Sequence, residues 1–296
     1  MNLSSEPVRL TVGVISAGRV GAVLGAALSR AGHRVVAASG VSAESVRRAE
    51  RLLPGVELLP PDDVVAAAEL VLLAVPDEAL RPLVTGLAAT GAWRPGQWVA
   101  HTSGAHGIGV LDAAASRGAL ALAMHPAMTF AGRPEDLDRL DGAVFGVTTQ
   151  PELRPVAETL VIEMGGEPVW IPELARPIYH AALTHSSNHL VTMVADAMEL
   201  LSDAGVESPA RVLAPLTGAA LDNTLRLGDA ALTGPVSRGD VRTVREHVAV
   251  LRRQSPDMLD SYRVMARRTA DRAYATGRIN DHERVELARA LADDPS

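Results

Sequence analysis

His180, Thr184 and Asn188 stand at i, i+4 and i+8 of a long apolar stretch, so they follow one slowly rotating helix face. Polar groups on such a face are costly unless they are paired or functional. An imidazole there can pass a proton to an oxygen or nitrogen that receives a hydride. His180 is therefore the candidate acid and Asn188 the candidate anchor for the substrate's polar group. A histidine satisfied at a domain interface is the alternative for His180. His185 and His189 are also four apart, which suits two metal ligands. No third ligand is signalled and the H-E-x-x-H glutamate is missing, so no metal is expected. There is no G-x-S-x-G elbow, no cysteine and no lysine, the 28 basic residues being all arginine. Serine-elbow, thiolate and lysine Schiff-base chemistry are thereby excluded.

The stretch "VGVISAGRVGAVLG" from Val12 to Gly25 is laid out as a dinucleotide-binding turn with one departure. In G-x-G-x-x-G the first glycine allows the tight strand-to-helix turn. The second admits the diphosphate close to the backbone, and the third lets the helix pack on the strand. Gly18 and Gly21 fill the second and third places, and Ser16 stands in the first. Ser16 is tolerable there if it keeps a negative φ, and its hydroxyl can donate to a phosphate. The expected cofactor-binding residues are Ser16, Ala17, Gly18, Arg19, Val20 and Gly21 of this turn. The second strand ends "AASGVSAESVRR", with Ser39 and Ser42 where an NAD-selecting carboxylate usually stands, and with Arg47 and Arg48 shortly after. Hydroxyls beside guanidinium groups suit a 2′-phosphate, so NADP is the expected cofactor. An exposed helix face is the alternative for either arginine.

Positioning such groups needs a parallel sheet, whose ligands gather at the carboxyl ends of the strands. Up to residue 172, eight short apolar runs alternate with helix-length stretches. They are 9–15, 33–39, 56–59, 69–75, 97–102, 119–125, 142–148 and 167–172. Several are apolar throughout, as strands covered on both faces should be. Three loops then fall at strand ends. "AVPDEAL" offers Val75 and Pro76 as a cofactor wall. "HTSGAHG" offers His101, Thr102, Ser103 and Gly104 for a polar substrate, and "MHPAMTF" offers His125. Ordinary turn chemistry accounts equally well for any one of these loops alone.

After residue 172 strand signals give way to helical periodicity. A single long helix is expected up to Gly205, then four more, with Ser208, Ser255 and Asn280 at N-cap positions. The expected fold is thus α/β, a Rossmann-type mostly parallel sheet over 1–172 followed by an all-α domain over 173–296. That length, 296 residues with 47% hydrophobic content, suits two domains. A net charge of −7, with basic residues dispersed among acidic ones, argues against a nucleic-acid partner. Neither a secretory signal nor a membrane-length apolar run is seen, so a cytoplasmic location without membrane contact is expected.

Taken together, "VGVISAGRVGAVLGAALSRAGH", "HTSGAHG", "MHPAMTF", "YHAALTHSSNHL" and "ALTGPVSRGD" resemble the Rossmann-like proteins whose C-terminal half is the domain of unknown function 2520. That family is similar in layout to pyrroline-5-carboxylate reductases, ketopantoate reductases, β-hydroxyacid dehydrogenases and deazaflavin (F420)-dependent NADP oxidoreductases. Its helical half is 6-phosphogluconate-dehydrogenase-like. The resemblance implies an NADP-binding domain, a helical domain that forms a homodimer, and a small-molecule substrate between them. It implies that Ser103 and Gly104 hold a substrate carboxylate. It also sets His180 near where related enzymes place a catalytic lysine, which this sequence lacks. Arg238 in "TGPVSRGD" is a candidate contact for an acid. The resulting expectation is an NADP-dependent oxidoreductase acting on a small carbonyl or imine substrate, with His180, Asn188 and Ser103 as its catalytic set. A nucleotide-binding scaffold without turnover and a deazaflavin:NADP reductase are the alternatives.

Overall fold

All eight apolar runs form strands in the computed structural model, which describes residues 9–292. They are β1 (Thr11–Ile15), β2 (Arg34–Ala38), β3 (Glu57–Leu58), β4 (Leu70–Leu73), β5 (Trp98–His101), β6 (Leu120–Pro126), β7 (Val144–Thr149) and β8 (Glu167–Trp170). They make one sheet in the order β3-β2-β1-β4-β5-β6-β7-β8. Every neighbouring pair is parallel except β6 with β7, which run antiparallel from Leu122↔Thr149 to Pro126↔Phe145. Strand order reverses between β1 and β4, the place where such sheets open a ligand crevice. Every residue of β4 is buried, which is why this strand reads as an unbroken apolar run.

The helices of this part are α1 (Arg19–Arg30), α2 (Ala43–Leu52), α3 (Pro61–Ala67), α4 (Asp77–Ala89), α5 (Asp112–Ala115), α6 (Glu135–Asp138) and α7 (Arg154–Glu163). Two apolar layers sandwich the sheet. One joins α1 and α7 to it through Leu24, Leu28, Leu72, Phe145 and Val161. The other joins α3, α4 and the α5 region through Val64, Val71, Leu80, Val84 and Leu111.

The rest is helical: α8 (Arg176–Asp203), α9 (Pro209–Leu227), α10 (Val241–Gln254), α11 (Pro256–Ala275) and α12 (Asp281–Ala290). Asn280 caps α12 through a reciprocal pair with Glu283. Ser208 and Ser255 occupy N-cap positions without a side-chain cap bond, whereas the Asp240 carboxylate caps α10. Two compact units result, 1–186 and 187–296. The division lies inside α8, while the change from strand to helix signals comes at 172. Arg176, in the first turn of α8, bonds to strands of the sheet and ties that turn to the first unit. The second unit has its own core, built from Val244, Val248, Leu259, Ala270 and Leu287 among others. Among the described residues, no helix is long and apolar enough to cross a membrane.

Candidate functional site

The β1–α1 turn has the geometry of a diphosphate cradle, with one correction to the expectation above. Ser16 has φ 75 and is, among the described residues, the one non-glycine with positive φ. The turn demands the left-handed conformation that glycine normally supplies, and serine adopts it at a cost of about 1–2 kcal/mol. It is held there by its amide, which donates to Ser39 Oγ at 3.0 Å, and by the Ala17 amide, which donates to the Ser39 carbonyl at 2.7 Å. Those two amides are therefore engaged with β2. No side chain caps α1, so the first-turn N–H groups after Gly18 remain for an anion. A Cβ at Gly21 would run into the Ser16 carbonyl and come within 2.8 Å of Ala74 Cβ, so only glycine allows α1 this close to β1 and β4.

A cavity of about 760 Å³ opens on this turn. Ser16, Gly18, Arg19, Ser39, Ser42, Val75 and Pro76 line it as expected, joined by Glu44 and Arg48. Ala17 is fully buried beneath the turn. Ser39 and Ser42 face the cavity with their hydroxyls engaged: Ser39 Oγ accepts from Ser16, and Ser42 caps α2 reciprocally with Ser45. Arg47 is exposed, whereas Arg48 is buried along the cavity. Its Nη2 meets Glu44 at 2.5 Å, and its Nε has no partner among the described residues. A large cavity at the strand-order reversal, an uncapped helix start and an orphaned guanidinium N–H fit a dinucleotide.

Further along the sheet, β5, β6 and the start of α8 bring a second group together. His101 is fully buried and is a fixed part of the scaffold. Its Nδ1 accepts from the Ser103 amide at 3.1 Å and its Nε2 donates to the Gly107 carbonyl at 2.9 Å. Burial, reinforced by the Arg176 charge, lowers its pKa to about 4. Thr102 is half-buried, with its amide bonded to the Leu73 carbonyl, and Ser103 Oγ accepts from the His106 amide at 3.2 Å. Gly104 is buried under two imidazoles. A Cβ there would lie 2.7 Å from His180 Cδ2 and 3.0 Å from His125 Nε2.

His125 and His180 are both half-buried, with ring centroids 6.1 Å apart and nearly perpendicular. His125 Nδ1 is 3.0 Å from the Tyr179 hydroxyl, and among the described residues its Nε2 has no hydrogen-bond partner. Burial and then Arg176 lower the His125 pKa to about 4, so this ring is neutral at neutral pH. Burial raises the pKa of the Tyr179 phenol.

Arg176 was not legible as a site residue. It is fully buried: its Nε donates to Thr148 Oγ1 at 2.8 Å, Nη2 to the Ala123 and Gly146 carbonyls at 3.0 and 2.9 Å, and Nη1 to the Ser103 carbonyl at 3.4 Å. Burial lowers its pKa to about 10, which leaves it charged. Glu173 was also missed. Its carboxylate accepts from the Ile108 and Gly109 amides at 2.8 and 3.0 Å, and a Cβ on Gly107 would collide with it. One signal pointed to Arg176: a cation in the first turn of a helix opposes the dipole and needs partners elsewhere.

Asn188 and Arg238 belong to the second unit. Asn188 is exposed, with its Oδ1 accepting from Ser187 Oγ at 3.1 Å, and Arg238 is the exposed last residue of a single turn, Val236–Arg238, whose other two residues are buried. Among the described residues, no group of three or more metal-ligating side chains occurs.

The sheet, its reversal and the cavity define a dinucleotide-fold domain followed by a helical unit. The chain belongs to the Rossmann-like proteins that carry the domain of unknown function 2520, matching the first over residues 2–126 and the second over 143–269. No curated relative matches it by sequence. Among solved structures it is similar to a Bacteroides fragilis protein assigned as an NADP oxidoreductase, at 22% identity and a TM-score of 0.75, over 89% of this chain and 98% of that one. It is also similar to an imine reductase from Pseudomonas sp., at 16% identity, TM-score 0.59 and coverage of 96% and 93%. A third is the Mycobacterium tuberculosis 3-hydroxyisobutyrate dehydrogenase, at 19% identity, TM-score 0.53 and coverage of 96% and 98%.

Proposed function

We propose that the protein is an NADP-dependent oxidoreductase acting on a small polar carbonyl or imine substrate, with His180 as the proton-transfer group. One observation carries this reading. A single compact unit holds a nucleotide-sized cavity at the strand-order reversal and, from the end of β6 and the start of α8, two neighbouring imidazoles, His125 with its Nε2 and His180 with both nitrogens unbonded among the described residues. The three neighbours named above are described as oxidoreductases of differing substrates, which agrees with the class.

Bound nicotinamide supplies or accepts the hydride. The chain's own residues bind, orient and move the proton. First-turn amides of α1 take the diphosphate, and Arg48 Nε with the Arg19 guanidinium meets the 2′-phosphate, drawing Arg48 from Glu44. Thr102, Ser103 and Gly104 hold the substrate beside His125. Asn188 and Arg238 are assigned to substrate orientation from their sequence motifs. When a carbonyl carbon gains the hydride, its π pair moves to oxygen and His180 delivers the proton there; in the reverse direction His180 takes it. The functional form is proposed to be a homodimer through the helical unit, in the cytoplasm, with neither nucleic acid nor membrane as partner.

The test is thermal unfolding with NADPH, NADP, NADH and NAD in turn, because a ligand of the folded state raises the midpoint. The phosphorylated pair should raise it more, and Arg48→Gln should remove that difference while leaving NADH unaffected. No rise with any of the four removes the reading.

A further inference from the structure

Building on the oxidoreductase reading, we propose that this site takes its substrate through a hydrogen-bond-accepting oxygen, a ketone or carboxylate, and excludes a cationic iminium. His125 presents a fixed Nε2–H, and a buried arginine whose hydrogen-bond partners are all neutral acts on the same ring. The fold does not choose between the two classes, since similar structures include both an imine reductase and a hydroxyacid dehydrogenase.

The tautomer follows from an inventory of donors. The Tyr179 phenol lies 3.0 Å from His125 Nδ1, the Gly146 backbone N–H faces its oxygen, and the Arg176 guanidinium carbon is 5.8 Å from its ring. Those last two neighbours can only donate. Among the described residues Nδ1 is the acceptor that the phenol proton meets, and a neutral imidazole bonded in this way carries its own hydrogen on Nε2. Among the described residues that nitrogen has no hydrogen-bond partner, and it packs over Gly104, where a Cβ would come within 3.0 Å of it. His101 is fixed in the same tautomer by the Ser103 amide, and its Nε2–H is used up on the Gly107 carbonyl.

Charge selects in the same direction. Arg176 is fully buried, and its four acceptors are neutral oxygens: one threonine hydroxyl and the carbonyls of Ser103, Ala123 and Gly146. A buried cation whose hydrogen-bond acceptors are all neutral, with the Glu173 carboxylate acting on it as a lesser influence than burial, favours a negative or strongly dipolar ligand nearby and repels a second cation. The carboxylates acting here are weaker influences. Asp77 acts on both imidazoles less strongly than Arg176 does, and Glu173 is committed to the Ile108 and Gly109 amides. An iminium nitrogen brings a positive charge and no lone pair for Nε2–H. A ketone oxygen brings the lone pair, and a neighbouring carboxylate the charge. Tyr179 is thus a positioning residue that acts through His125.

The experiment is imidazole ¹⁵N NMR at neutral pH on histidine-labelled protein, with and without NADP, and His125→Gln used only for assignment. Expected is a neutral Nε2–H form for His125. Oxamate should move its Nε2 resonance, and pyrrolidinium at equal concentration should not. Tyr179→Phe keeps the ring packing, and its unfolding midpoint reports folding. It should mix the tautomers and weaken the oxamate response roughly tenfold, the scale of one lost orienting hydrogen bond. An Nδ1–H form, a response to pyrrolidinium instead, or a response to neither overturns the proposal. Those readouts need no turnover, so the oxidoreductase reading stands or falls separately, on the nucleotide shifts.

Discussion

A fully buried imidazole that stays neutral ties folding to acidity. His101 is 0% exposed and its pKa is lowered to about 4, against about 6.5 in the unfolded chain. Between those values the unfolded state binds a proton that the folded state refuses, so stability is full above about pH 6.5 and falls as the pH drops toward 4. His125 contributes in the same direction, since its pKa is lowered to about 4 as well. His101→Asn retains an acceptor for the Ser103 amide and cannot titrate. It should flatten the slope of unfolding free energy against pH in that window by up to ~1.4 kcal/mol per pH unit. Urea unfolding over a pH series measures this, and an unchanged slope would place the linkage elsewhere. At this scale the sequence told only part. It marked Ser103, Gly104, His125 and His180 as candidates because polar types cluster at strand ends. It did not mark Arg176, whose partners lie 28 to 73 residues away in sequence, on strands and a loop that only the fold brings together. Nor did it separate His101 from its neighbours, because whether a histidine at a strand end is buried or accessible depends on the helices packed over it.

Elements were more legible than residues. A strand covered on both faces, such as β4, becomes an unbroken apolar run, whereas β3 and β8 are exposed or half-buried and were read from short apolar runs; the alternation with helical stretches implied the parallel sheet. Backbone conformation within a turn leaves no such trace, which is why the positive φ of Ser16 was not foreseen. The β1–α1 turn lends itself to a paired prediction. Ser16→Gly relieves a left-handed serine and should stabilise the fold by about 1 kcal/mol, less the extra freedom glycine gives the unfolded chain. If the Ser16 hydroxyl donates to a phosphate, the same variant should bind NADPH several-fold more weakly. Gly21→Ala acts in the opposite sense on stability. Its methyl group meets the Ser16 carbonyl and Ala74, forcing α1 off the sheet, and should destabilise by roughly 1–3 kcal/mol and weaken NADPH binding at least tenfold. Denaturant midpoints together with NADPH titration give all four numbers. A Gly21→Ala protein of normal affinity would show that the cavity on this turn is not where the nucleotide binds.

At the scale of the whole molecule, α9 is out of place in a lone chain. It buries a single residue, Leu213, while Leu216 and Leu225 are 65% and 79% exposed and Val212 and Leu221 about half exposed. Leu216 and Leu225 are nine residues apart, about two and a half turns, so they face opposite ways, as do Val212 and Leu221. Large apolar side chains on opposed faces of one helix belong against a core, and α10–α12 show what a satisfied core in this unit looks like. In the rest of α8, Val191 and Met193 are exposed in the same way, at 70% and 44%. Large apolar side chains on opposed faces need cover from more than one direction, which an intertwined second copy supplies and a flat contact does not. The proposed homodimer should therefore persist in light scattering on dilution to low micromolar concentration. Leu216→Asp combined with Leu225→Asp should yield a monomer, with circular dichroism reporting whether the helices survive. A wild-type chain that is monomeric at every concentration would leave α9 to a different protein and end the homodimer proposal.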